Sequence, residues 1–179
     1  ASPIKVPSVE DLAQYARVTG FRLAPDGKHL LAIESQGDVR AILVWQTDNL
    51  TAKPHVIGAS TMRIRSASFL KNDMLAVTMW QPFDSRIGGE LTKTFIDKLL
   101  VTDLDGKAWK EPLIAAEIVR DDDTRRLRAL AVPSIRSRML RDPDQVIIEG
   151  DDLGSDRDLF RYNVRTGEAA RVLRLGEND

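Results

Sequence analysis

Two histidines, three tryptophans and three charged runs are the residues of this 179-residue sequence that could do chemistry. His29 and His55 are its only histidines. A pair of imidazoles can serve a catalytic triad or hold a metal. Here His29 stands directly behind a turn sequence and His55 falls in a short outer strand. Neither has a Ser–Asp arrangement legible beside it, so both read as structural or surface residues. Asp121, Asp122 and Asp123 run straight into Arg125, Arg126 and Arg128. A calcium loop needs alternating ligands, a central glycine and a distant glutamate, and that spacing is missing. The run reads as a solvated loop or helix start. Glu149, Asp151 and Asp152 form the best acidic cluster, at the end of a strand. Paired carboxylates can hydrolyse glycosides, but no sugar-binding aromatic cluster stands beside these, and they read as a solvated loop.

Trp45, Trp80 and Trp109 each lie in or near a strand. They read as packing between sheets rather than as a platform for sugars or bases, because tryptophan supplies large buried area. Arg125, Arg126, Arg128, Arg136, Arg138 and Arg141 make a locally basic span. Acidic neighbours and the lack of a stacking motif argue against RNA. No catalytic, cofactor-binding or metal-binding residue is assigned, and no cofactor is expected.

The composition bounds the rest. With 42% apolar and 30% charged residues the chain can bury a core. Basic residues number 26 and acidic residues 27, so no general field attracts nucleic acid or anionic lipid. Cysteine is absent, which rules out disulfides and thiolate chemistry. No apolar run approaches the ~20 residues of a membrane helix. The chain opens on Ala1 with no legible signal peptide; a removed leader and a cut from a longer chain read alike.

These residues must be positioned by strands. Phe21–Ile33, FRLAPDGKHLLAI, reads as strand, tight turn, strand, with Pro25, Asp26 and Gly27 turning the chain. Asp26 and Gly27 are given no chemistry. Ala41–Gln46 is a dense apolar strand suited to burial on both faces. His55–Ile57 is a short fourth. The same order returns twice. Lys71-Asn72-Asp73 stands where Pro25-Asp26-Gly27 stood. Met74–Trp80 follows it, then a longer connection over Gln81–Lys93, then Thr94–Thr102 and Trp109–Ile114. In the third set Ser134–Leu140, the turn Asp142-Pro143-Asp144, Gln145–Glu149, Asp158–Val164 and Ala170–Leu175 take these places. Repeated four-stranded units are the mark of a propeller; a sandwich of twelve strands is the alternative. The expected division is a leading segment at 1–20 and three blades at 21–58, 63–114 and 133–175. Ser8, Glu10 and Asp11, with Val9, Leu12, Ala13 and Ala16 on one face, predict a short capped helix over about Val9–Arg17. The expected fold class is therefore all-β, an incomplete propeller behind a short helix.

The run FRLAPDGKHLLAI resembles the blade opening of propellers that precede the catalytic domain in the prolyl oligopeptidase family of serine peptidases, including its dipeptidyl-peptidase and acylaminoacyl-peptidase branches. SVEDLAQYARVTGFRLAPDG is similar to the helix and first blade of bacterial members. LLVTDLDGKAWKEPL and LFRYNVRTGEAARVL resemble later blade ends. The likeness covers about residues 8–175. TolB-type propellers share the PDGK motif. The resemblance implies a ring of about seven or eight blades followed by an α/β-hydrolase domain, with the propeller gating peptide access to it. The nucleophile elbow G-x-S-x-G is absent from this sequence, and so is the helical Glu-Glu pair that holds a substrate amino terminus in dipeptidyl-peptidases. The chain is thus expected to be a non-catalytic propeller part; the alternative is a TolB-like module that binds a protein partner.

Three blades cannot close a ring, and each blade face is apolar because it packs on a neighbour. The expected partners are the remainder of a propeller with its hydrolase domain, or a second copy meeting through open edges. No nucleic acid or membrane partner is expected. Bacterial origin and an exported, periplasmic location follow from the resemblance alone.

Overall fold

A computed structural model describes residues 17–58, 62–87, 90–113, 132–150 and 157–174. Eleven strands account for most of them, in three antiparallel sheets. The first sheet holds β1 (Val18–Leu23), β2 (His29–Gln36), β3 (Val39–Gln46) and β4 (His55–Gly58), in chain order across the sheet. The second holds β5 (Arg63–Phe69), β6 (Met74–Ile87) and β7 (Glu90–Asp103). The third holds β8 (Ser134–Ser137), β9 (Gln145–Gly150), β10 (Asp158–Asn163) and β11 (Ala169–Leu173), again in chain order. The helix expected over Val9–Arg17 lies, but for Arg17, outside the described residues.

The turns between the first and second strands of the first and third sheets are both capped by an aspartate side chain. In the first, Gly27 takes a φ of 73° and its N–H bonds to Ala24 O at 2.9 Å. Asp26 Oδ1 accepts from the Lys28 amide at 3.0 Å. A left-handed residue followed by side-chain capping is what a tight reversal requires. In the third, Asp142 Oδ1 accepts from the amides of Asp144 and Gln145 at 3.0 and 2.9 Å. These amide bonds stabilise the ionised carboxylate, so its pKa sits below the usual 3.8.

Two expectations fail in the second sheet. The described part of Trp109–Ile114, residues 109–113, forms no fourth strand: it touches the sheet through one isolated bridge, Val101 with Lys110. The Trp109 indole N–H instead donates to Gly106 O at 2.7 Å, which turns this stretch back on its own hairpin. Nor does β6 end at Trp80. Pairing between β6 and β7 runs unbroken from Met74↔Asp103 to Ile87↔Glu90. The partner strand β5 stops at Arg63↔Trp80, two residues short of Pro82. A proline has no N–H to give a third strand. The sheet therefore narrows to a two-stranded ribbon there, and Pro82 marks the loss of one neighbour rather than the end of the strand.

The three sheets stack face to face. Along β6, Leu75, Val77 and Met79 enter one buried cluster with Leu31, Ile33, Ile42, Val44 and Ile57 of the first sheet. Met74 and Ala76 enter a second cluster with Val146, Ile148, Phe160 and Tyr162 of the third sheet. On β7, Leu100 belongs to the first cluster while Leu99 and Val101 belong to the second. The strand period of two thus sends alternate side chains into two different cores. The stack keeps one sense. Leu75 and Val77 stand, counted from their turn, where Val146 and Ile148 stand in β9, and both pairs face the preceding sheet.

Candidate functional site

Among the described residues singled out for chemistry, the two histidines and three tryptophans form no common site, and Glu149 meets Arg136. His29 is half-buried in β2, and its Nδ1 is shielded from water without a hydrogen-bond partner. His55 is exposed, with Nε2 3.2 Å from Asp105 O across the first two sheets. Among the described residues no group of three His, Cys, Asp or Glu is placed to hold a metal. Asp121, Asp122, Asp123, Arg125, Arg126, Arg128, Asp151 and Asp152 lie outside the described residues.

Glu149 is not a solvated loop residue. It sits in β9 with its side chain 8% exposed, bonded to Arg136, and Arg157 Nε lies 3.1 Å from its other oxygen. Two guanidiniums, each about half exposed, compensate one buried carboxylate. Arg136 therefore belongs to an ion-pair cluster. Arg138 and Arg141 are exposed some residues away, and Arg138 contributes its carbonyl to another lysine. The tryptophans separate as well. Trp109 packs against the first core and Trp45 is half-buried in β3. Trp80 is 38% exposed, because it lies where β5 ends and the ribbon begins.

What the fold does bring together is the set of recurring turns. Pro25, Leu70, Lys71, Asn72, Asp73, Leu140, Asp142, Pro143 and Arg165 line a cleft of about 110 Å³. Two cations dominate it. Lys71 is buried, and its ammonium donates to the carbonyls of Arg138, Met139 and Asp142 at 2.6, 3.0 and 2.6 Å. Burial lowers its pKa against the opposing pull of Asp142 and Asp144. Arg165, from the β10–β11 turn, forks onto Asp73 at 2.9 and 3.1 Å and reaches Asp144 at 2.6 Å. Those bonds hold its pKa above the ordinary arginine value. Every principal donor is spent on the protein itself. The cleft is a polar clamp between the second and third sheets, with no nucleophile and base paired in it. Sequence reasoning found the recurring turns but missed Lys71 and Arg165 as their link. The only signal was a basic residue inside one acidic turn and another beginning a later one.

No protein-family model matches the sequence, and no curated protein matches it. Comparison of the fold does find relatives. An acylaminoacyl peptidase in complex with Z-Gly-Gly-Phe-chloromethyl ketone matches over 89% of this chain and 25% of its own, with 14% identity and a TM-score of 0.53. An isopeptidase matches over 86% of this chain and 33% of its own, with 11% identity and a TM-score of 0.39. A prolyl endopeptidase matches over 88% and 27%, with 13% identity and a TM-score of 0.37. The chain thus spans a quarter to a third of the structures it matches. At 14% identity the likeness is one of fold, and the three-sheet stack fits the propeller portion of the acylaminoacyl peptidase, the part to which the sequence resemblance pointed.

Proposed function

We propose that this chain is the non-catalytic propeller portion of a serine peptidase of the prolyl oligopeptidase kind, restricting peptide access to a hydrolase domain encoded outside this sequence. The observation that carries the reading is the fold match to acylaminoacyl peptidase. It is supported by same-sense stacking of three sheets, the packing a ring of blades requires, and by the absence of G-x-S-x-G. On this reading the outer faces of the first and third sheets meet the remainder of the ring, and the protein acts outside the cytoplasm. Labelling an extract of the source cells with a fluorophosphonate, followed by peptide mapping, tests it. Peptides of this chain are expected within a larger labelled polypeptide.

A second reading, a TolB-like module that binds a protein partner, is favoured by one observation, the exposed aromatic pair Trp80 and Phe95. Recovery of these peptides only in an unlabelled polypeptide that ends at Asp179 decides for that reading.

A further inference from the structure

The outer edge of β7 is left open by the chain's own sequence. Val101 exchanges two main-chain hydrogen bonds with Lys110, each 2.8 Å, so its N–H and C=O point away from β6. In the first sheet β4 runs along β3 from Val44↔His55 to Ala41↔Gly58. Here the run stops at one bridge. Two residues beyond Lys110 stands Pro112, which has no N–H for the bond due opposite Leu99. Leu113 then turns away with a φ of 65°. β6 and β7 pair without a bulge, so every second residue before Val101 faces the same way. Leu99, Asp97, Phe95, Lys93 and Leu91 therefore present N–H and C=O to this edge, and none of the described residues pairs with them there. Pro82 interrupts the other edge of the ribbon, whereas β7 has neither proline nor glycine from Glu90 to Asp103. Only another extended main chain matches donors and acceptors at every second residue.

We propose that this edge pairs with the same edge of a second copy of this chain, antiparallel about a twofold axis through Phe95. The residue types select that occupant. The edge-facing series reads Leu91, Lys93, Phe95, Asp97, Leu99. Turned end for end it answers itself: Leu91 stands opposite Leu99, Lys93 opposite Asp97, and Phe95 opposite Phe95. Residues directly opposite share a face, and aromatic, apolar and opposite-charge pairs all favour pairing there. Neighbouring registers lose the match. An axis through Asp97 or Lys98 sets like charges opposite each other, and one through Thr94 or Ile96 sets Phe95 opposite a charge. Lys93 is exposed and Phe95 is 53% exposed, so both are open to a partner. Joining two ribbons makes four strands from a two-stranded unit that is marginal by itself. A twofold axis closes the assembly at two copies, and the pairing needs no hydrolase domain.

Sedimentation equilibrium of the whole chain, read with amide hydrogen exchange, tests the pairing. A monomer–dimer equilibrium is expected at ~100 µM, as for a small interface. The Phe95 and Asp97 amides should slow as the dimer fills. Lys93→Asp and Asp97→Lys each set like charges opposite at two symmetric places, and each should weaken the dimer about tenfold. Mixed together, the two variants are complementary and should associate about as tightly as the parent. Where Asp97→Lys fails to fold on losing its Arg65 contact, the loss in Lys93→Asp, at an exposed residue, decides by itself. A chain still monomeric at ~1 mM overturns the proposal. So does a dimer indifferent to Lys93→Asp, or a mixture of the two folded variants no tighter than either alone. Phe95 and Asp97 amides already slow in the dilute monomer overturn it too, because the edge would then be filled from within.

Discussion

The two interfaces of the middle sheet are built from alternate positions of the same strands and held by different forces. The first, against β1–β4, is a continuous apolar core whose largest buried side chains include Phe69, Leu31, Ile42 and Ile64. Its charged contacts are peripheral: Arg63 lies 3.6 Å from Asp38, and both are largely exposed. It is also close. Gly106 has a φ of 69°, and a Cβ added there would collide with the Ile57 side chain. The second, against β8–β11, is entered by Met74 and Ala76 and adds the Lys71 and Arg165 clamp. It also buries the Tyr162 hydroxyl without a partner, which pushes that phenol up to about 12. Apolar contact grows with the area removed from water, whereas a buried cation holds only where its carbonyls are correctly placed. The first interface therefore specifies that two sheets pack, and the second also specifies how the turns align.

That contrast can be broken at either side. Phe69→Ala should cost the most, about 3–5 kcal/mol, because the ring is 1% exposed at the centre of the first core. Urea unfolding reads it, and a loss under about 1 kcal/mol would mean the core is not continuous. Lys71→Met comes next. It keeps the aliphatic stem but strands three carbonyls, at about 2–3 kcal/mol; the same urea series should show Asp38→Asn within about 0.5 kcal/mol of the parent. Arg165→Ala should cost only about 1 kcal/mol, since its side chain is 45% exposed, and the loss should shrink in high salt. Comparing the melting temperature at low and high ionic strength checks both parts.

The smallest effect concerns pH. The Asp142 carboxylate is depressed by the amides of Asp144 and Gln145, so the folded state releases this proton at lower pH than the unfolded chain does. Its contribution is present above the usual carboxylate value of 3.8 and fades as pH falls through the lower folded value. Asp142→Asn should therefore flatten the fall in melting temperature on acidification toward pH ~3. An unchanged slope would remove Asp142 from the account.

The alternation in FRLAPDGKHLLAI made the first sheet legible, because turn chemistry and strand period agree there. Ile42, Leu43 and Val44 are buried in succession, as the dense run in β3 predicts. The ribbon was hidden because Pro82, Gly88 and Gly89 read as loop residues, yet pairing depends on which backbone edge faces a partner. Pro82 is compatible with β6 when its missing N–H points to the side that has no strand. The fate of Trp109 was equally hidden, since a hydrogen bond to Gly106 depends on the turn and not on strand propensity. The clamp could not be read at all: Lys71 and Asp142 lie 71 residues apart, and Arg165 and Asp73 92.

Over Met74–Met79 and Leu99–Val101 the middle sheet is covered on both faces, and this shapes how the chain comes apart. Val77 and Val101 are fully buried in different cores, so neither outer sheet can leave without wetting one side of β6 or β7. Both cores assemble from residues far apart in sequence, which makes formation slow relative to a helical domain of this size. Amide hydrogens of Leu75–Met79, Leu100 and Val101 should then exchange only through global opening, while the two-stranded ribbon above them exchanges through local fluctuation. One β6 strand would carry both the most protected and some of the least protected amides of its sheet.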